Sequence, residues 1–255
     1  NAKQTQFGWD TSGASNLDIL AQRLSDTIMI RRTKNEVLTD LPPKSRRVID
    51  LDLEASLAAY KAAEKNATEA FESRVAAIMK DKGISAAKAL REATREPEGA
   101  AQITELRLQV GLAKMDASAG VVVNHLESTG RKAIVFAHHH EVRAGLRERF
   151  IEAGYRVVEI GGETSHKSRD AAIESFQNDP SVKVFLGSTA ASVGITLTAA
   201  SDVFIVEQQW TPATLDQMED RAHRIGQQAE AVTAWHLVAP ACAVDKHMWR
   251  TVERK

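Results

Sequence analysis

The chain has 255 residues, of which 43% are hydrophobic and 26% charged, and its formal net charge is −1. Such a composition describes a soluble globular protein near the upper size for one hydrophobic core, so one large domain or a domain with an appendage is expected. It excludes a globally basic nucleic-acid binder. The lone Cys242 excludes an internal disulfide or a cysteine-built metal site, and no run of about 18 apolar residues exists to span a bilayer.

Residues 1–16 are polar, show no strand or helix pattern and read as a linker or the tail of a preceding domain, so the chain is expected to be a piece of a longer protein. Leu17, Leu20, Leu24 and Ile28 keep helical spacing, which predicts a helix over about 17–30. A basic run follows: Arg31, Arg32, Lys34, Lys44, Arg46 and Arg47 stand against only Glu36 and Asp40. Taken alone it is a solvated turn around Leu41-Pro42-Pro43. Val48, Ile49, Leu51 and Leu53 alternate with charges and predict a strand over 47–53.

Residues 54–128 are alanine-rich and read as helical: one long helix through Leu57, Tyr60, Phe71 and Ile78, a short one over about 85–95, and two more from Ile103 and Met115. Antiparallel helices projecting from a sheet domain fit this stretch best. After Gly130 strand and helix alternate. Strands are predicted at 132–136, 155–160, 183–187, 202–206 and 232–238, and helices at 140–153, 165–177, 212–225 and 243–254. Such alternation implies an α/β fold, a parallel sheet with helices on both faces. Ligands of such sheets bind beyond the carboxyl ends of the strands, which puts His138–His140, Gly161–Glu163, Ser188–Gly194 and Glu207–Trp210 along one rim.

The last helix of interest has Thr211 as N-cap, Pro212 at its first position and Gly226 as its stop. Leu215, Met218, Ala222 and Ile225 form its apolar side, and Gln217, Arg221 and Arg224 fall within about 60° of one another on a polar face. Two guanidiniums and an amide on one face suit phosphate recognition. The plainer alternative is a solvated face on which Asp220 and Arg224 pair at i,i+4. Two absences constrain the chemistry. None of the 14 glycines is followed by lysine, so no P-loop is present, and no Asp-Glu dipeptide occurs to hold magnesium as helicases do.

DRAHRIGQ at 220–227, EQQWTP at 207–212 and STAASVGITLT at 188–198 together resemble motifs V and VI of the Swi/Snf-type DNA translocases of helicase superfamily 2. KAIVFAHHHEVRAGL at 132–146 resembles motif IV, IGGETSHKSRDAAIESF at 160–176 the element after it, with Gly162, Ser165 and Arg169 at matching places, and IRRTKNEVLTDLPPK at 30–44 the segment leading into the second motor lobe. The His138-His139 pair with Glu207 fits the annealing-helicase (HARP-like) branch of that family. Ala190, Ser192 and Thr211 depart from the residues usual in the family, and Ala190 puts one DNA contact in doubt.

The resemblance implies the second RecA-like lobe of a DNA-dependent ATPase. Residues 1–53 would be a linker and basic lead-in, 54–128 an inserted helical protrusion and 129–255 the lobe itself. Arg221 and Arg224, preceded by Gln217, would be catalytic, acting as arginine fingers on ATP and Mg2+ held mainly by an N-terminal RecA-like lobe. Gly194, Val193 and Ile195 would approach the nucleotide. Ser188, Thr189, Gly162 and Trp210 would contact double-stranded or branched DNA, and the basic lead-in would brace the cleft or approach DNA phosphates. No metal site of its own and no membrane partner are expected, and no homo-oligomer signal is evident in the sequence. The location would be cytoplasmic or nucleoid-associated, or nuclear in a eukaryote, and the isolated chain would be inactive.

Two further readings remain open: a non-catalytic DNA-binding or docking module of the same fold, and a doubly wound glycosyltransferase-like lobe, which leaves DRAHRIGQ unexplained. Metal binding at His138–His140 is disfavoured because adjacent strand residues point to opposite faces. His223 is read as packed or hydrogen-bonded, and Trp235 and Trp249 as core.

Overall fold

The computed structural model describes residues 3–5, 8–10, 15–30, 38, 40–53, 56–93, 97–192 and 194–253. Two compact units divide the chain at Asp40/Leu41. In the first, β1 (Lys3–Thr5) and β2 (Gly8–Asp10) pair antiparallel, followed by α1 (Leu17–Thr27). The expected linker over 1–16 therefore contains a hairpin, whose three-residue strands are too short to carry a readable alternation. Of the basic run, Arg31, Arg32 and Lys34 lie outside the described residues.

The second unit is built on a six-stranded sheet. Its strands are β3 (Lys44–Asp50), β4 (Ala133–Phe136), β5 (Arg156–Ile160), β6 (Val182–Gly187), β7 (Asp202–Ile205) and β8 (Val232–Val238), in the order β3-β8-β7-β4-β6-β5 with every pair parallel. Central β4 and β7 are buried at every position and, Asp202 apart, apolar throughout, as a sheet covered on both faces requires. Period-2 alternation sorts their side chains: Ala133, Val135 and Phe204 enter one core, Ile134, Phe136, Val203 and Ile205 the other.

Helices α2 (Leu57–Lys82), α3 (Ala86–Ala93), α4 (Pro97–Thr129), α5 (His140–Glu152), α6 (His166–Asn178), α7 (Pro212–Glu219) and α8 (Ala243–Glu253) complete the unit. The first core includes Tyr60 of α2, Val110, Val122 and Leu126 of α4, and Leu146 and Phe150 of α5. The second includes Phe176 of α6 and Leu215 and Met218 of α7.

Three expectations need correction. The strand expected at 47–53 begins at Lys44 and is an edge strand of the sheet, paired with β8 along all seven residues, so it belongs to the lobe and not to a lead-in. The two helices expected from Ile103 and Met115 are one 33-residue helix, α4, which runs through Gly111 and Gly120 without proline to stop it. Its second half lies in the sheet core, so the projecting part is α3, most of α2 and the first turns of α4, with a small cluster of Ile78, Ala89 and Ala93 with Phe71, Val75 and Ile84 joining α2 to α3. The helix expected over 212–225 stops at Glu219.

Candidate functional site

The rim forms as the topology requires. Each central strand hands its last backbone bond to a neighbour's loop: Ala137 N–H donates to Gly187 O at 3.0 Å, Ser188 N–H to Ile160 O at 3.0 Å and Val206 N–H to Phe136 O at 3.0 Å. The histidine run then lies in the turn before α5 and at its first residue, not on a strand. Glu207 fastens it. One carboxylate oxygen accepts the backbone N–H groups of His138 (2.6 Å) and His139 (2.9 Å), and the other pairs with His139 Nδ1.

Burial alone would raise the Glu207 carboxyl, but the His139 ring and the two N–H donors outweigh it and hold it below the ordinary carboxylate value. A carboxylate at the start of α5 is also favoured by the helix dipole. Gly111 on α4 makes room, since a Cβ there would sit 3.0 Å from Glu207 Oε1. The joint occurrence of the histidine pair and Glu207 thus has a physical basis: they are direct partners. His138 Nδ1 in turn lies 3.1 Å from Thr189 Oγ1, and its ring is pushed down by burial first and by nearby Arg107 second.

The arginines reach one place by a different route from the one their spacing suggested. Because α7 ends at Glu219, Arg221 and Arg224 sit in the turns beyond it. Arg221 is buried, with Nε donating to Gln217 O at 2.7 Å and Nη1 to Ile195 O at 3.1 Å. Arg224, half-buried, donates through Nη1 to the same Ile195 O at 2.8 Å and to Thr196 Oγ1 at 3.0 Å. Leu197 N–H donates back to Arg221 O at 2.9 Å. Two guanidiniums therefore converge on one neutral carbonyl, and among the described residues no carboxylate pairs with either. Burial first and Arg224 second lower the Arg221 guanidinium. Asp220, the expected i,i+4 partner of Arg224, meets Lys44 at 3.2 Å.

Of the other expected site residues, Gln217 is exposed and joins the cluster only through its carbonyl, so the common polar face does not form. Ile195 is buried. Gly194 is exposed at φ +72°, a backbone conformation that favours glycine. Val193 lies outside the described residues. Ser188 is buried, its Oγ accepting from Ala191 N at 3.3 Å. Gly162 is exposed, and Trp210 is 39% exposed with the Arg107 guanidinium 5.8 Å from its ring centre. Arg169 donates to Ala191 O at 3.2 Å, tying α6 to the turn after β6. His223 Nε2 donates to Pro42 O at 2.8 Å. Trp235 and Trp249 are half-buried; Trp235 Nε1 donates to Asp202 at 3.0 Å, and Trp249 lies against His236 at 4.7 Å between ring centres.

Two charged clusters escaped the sequence reading. Lys114 of α4, fully buried, donates to Val206 O, to Leu237 O at 2.6 Å and to Asp245 Oδ2 at 2.9 Å. Glu219, also fully buried, receives Arg46 through Nε at 2.7 Å and Nη2 at 3.0 Å, Lys44 at 2.9 Å and His236 Nε2 at 3.3 Å. Burial would raise the Glu219 carboxyl, but His236, Arg46 and Lys44 bring it down to about 2. The second cluster had a signal. Lys44 and Arg46 share a strand face, and Asp216, Glu219 and Asp220 share a helix face at i, i+3 and i+4. Of the described basic residues of the lead-in, Lys44 and Arg46 thus serve α7 and the turn after it, while the Arg47 guanidinium lies 5.6 Å from the Trp235 ring centre.

For metal, His140, Glu159 and Glu163 bring ligand atoms within 4.8 Å of one another, but Arg143 lies 3.3 Å from Glu159 and 3.9 Å from Glu163, compensating the charge a cation would need. The donor set elsewhere suits phosphate oxygens. No described helix is long and apolar enough to cross a membrane.

Comparison with known proteins agrees with this layout. Residues 114–226 match the helicase conserved C-terminal domain. Over its whole length the chain is 38% identical to human "DNA annealing helicase and endonuclease ZRANB3", covering 22% of that protein. It is 35% identical to the Xenopus laevis "SWI/SNF-related matrix-associated actin-dependent regulator of chromatin subfamily A-like protein 1", covering 25% of it. The chain thus spans about a quarter or less of these relatives. Among solved structures, the C-terminal part of the Fun30 ATPase domain shares the fold at a TM-score of 0.65 and 16% identity, with 83% of this chain and 90% of that one covered. The Sulfolobus solfataricus SWI2/SNF2 ATPase core in complex with dsDNA matches at a TM-score of 0.51 and 26% identity, with 89% of this chain and 48% of that one covered. The six-stranded parallel sheet with its rim is RecA-like, residues 114–226 match the helicase conserved C-terminal domain, and the whole chain is similar to one stretch of these Swi/Snf-type relatives.

Proposed function

We propose that this domain is the second motor lobe of an ATP-driven DNA translocase, and that Arg221 and Arg224 act on ATP and Mg2+ held by an N-terminal RecA-like lobe of the same protein. The observation that carries the reading is the convergence of two guanidiniums on Ile195 O with no carboxylate paired to them among the described residues. A guanidinium fork matches phosphate oxygens and keeps its charge at any physiological pH. When the lobes close, both arginines gain an anionic partner that the open state lacks, so the nucleotide's affinity difference drives closure. Charge building on the transferring phosphoryl group is then neutralised, an effect of roughly 10³–10⁵ in rate in related hydrolases.

The chain supplies donors to phosphate but neither a P-loop nor an acidic metal motif, so triphosphate and metal are gripped mainly elsewhere. Gly194, Val193 and Ile195 would border the nucleotide. Thr189, Gly162 and Trp210, with Ser188 fixing the turn from within, would line a path for double-stranded or branched DNA. Residues before the sheet would lead from the preceding lobe, and the helical arm would be a protrusion of this one. A nuclear or nucleoid location follows from the same reading. DNA-stimulated ATP hydrolysis by the full-length protein tests it: Arg224→Ala should lower turnover about 10³-fold or more with DNA affinity within about twofold. Unchanged turnover would favour a non-catalytic DNA-binding module. The isolated chain should show no ATPase.

A further inference from the structure

The turn that carries Arg221 and Arg224 has little regular backbone pairing of its own. Past Glu219 its backbone bonds are short-range, such as Arg224 N–H to Ala222 O at 3.0 Å and Gln227 N–H to Arg224 O at 3.0 Å. Its placement is therefore set from outside. On one side stands the Ile195–Leu197 segment, already described. On the other stand residues 42–46. Pro42 O lies 2.8 Å from His223 Nε2, Lys44 reaches Glu219 at 2.9 Å and Asp220 at 3.2 Å, and Arg46 grips both oxygens of Glu219 while also meeting Asp216. This strap does not float. β3 is locked to β8 by a seven-residue parallel register, and Val232 N–H donates to Pro43 O at 2.9 Å.

We propose that Arg46 and Glu219 are positioning residues of the arginine turn: the planar fork of Arg46 on the last helical residue of α7 fixes where Arg221 and Arg224 stand when phosphate arrives. The inference rests on the reading that those two arginines serve a nucleotide. A bidentate guanidinium–carboxylate pair constrains orientation as well as distance, which a point charge does not. Glu219 is fully buried, so its partners cannot be replaced by water without cost. A displacement of about 1 Å at a reacting centre is enough to cost about a hundredfold in rate.

The experiment uses the full-length protein and measures DNA-stimulated ATP hydrolysis, DNA affinity and thermal unfolding side by side. Arg46→Ala should lower kcat about ten- to a hundredfold, with KM for ATP and the Kd for DNA within about twofold. Arg46→Lys, which keeps the charge and loses the fork, should fall between it and the parent. Asp216→Arg provides a milder route, because Asp216 is 53% exposed and the substitution repels Arg46 without emptying the core; it should also lower kcat. A fall in unfolding temperature with kcat unchanged in both Arg46→Ala and Asp216→Arg would make the cluster merely structural and overturn the proposal. So would a change confined to KM. If Arg224→Ala itself keeps full turnover, the motor reading fails; if Arg224→Ala is inactive while Arg46→Ala is not, only this inference fails.

Discussion

Lys114 and Arg224 lie in one domain and are treated in opposite ways. The ammonium of Lys114 has three donors and three acceptors to meet them, the carboxylate of Asp245 among them. Glu207 and Glu219 are met as fully by histidine, backbone and cations. Among the described residues Arg221 and Arg224 instead meet neutral acceptors, the Ile195 carbonyl that they share together with Gln217 O and Thr196 Oγ1. An ion taken out of water costs several kcal/mol unless a partner offsets it. A fold that matches three buried charges so closely and leaves two like charges side by side favours a counter-charge from outside the chain.

The contrast can be broken at four points. Replacing Lys114 with Met leaves Asp245 and two carbonyls short of a donor, and should destabilise this chain by about 3–5 kcal/mol in denaturant unfolding. Acid titration comes next. Glu219 has a folded value of about 2 against an ordinary 4.5, so its stabilisation is complete above 4.5 and is lost as pH falls towards 2. The loss should approach about 2–3 kcal/mol, and Glu219→Gln should flatten the stability curve in that window. Thr211→Ala removes the cap that accepts from Thr214 N and should cost about 1 kcal/mol. Arg224→Ala should cost least, under about 1 kcal/mol, because Ile195 O keeps Arg221 and a like-charge contact is relieved. A loss above about 2 kcal/mol would place Arg224 with Lys114 and dissolve the contrast.

The sheet and its rim were legible because their signals are local. Buried runs such as Ala133–Phe136 and caps such as Thr211-Pro212 declare themselves within a few residues. The amphipathic period running on past Glu219 overstated α7, because Ala222 packs into the core from a turn as well as it would from a helix. β3 was visible as a strand, yet its place beside β8 depends on a partner almost 190 residues away, and no short pattern encodes that. Lys114 with Asp245 and Arg46 with Glu219 were missed for the same reason, since each pair exists only once the sheet is closed. The convergence of Arg221 and Arg224 was foreseen, but their common ground is the Ile195 carbonyl and not a helix face.

The unbroken course of α4 has a mechanical consequence. At 1.5 Å per residue its 33 residues make a rod about 50 Å long, seated at one end among the strands and at the other beside α2, where Gly99, Ile103 and Leu106 line one pocket with Ala67 and Phe71. No loop interrupts this rod to absorb a push. Whatever grips or tilts the arm must lever the seam where Lys114 bridges β7 and β8, so load applied far out on this lobe is felt at its centre.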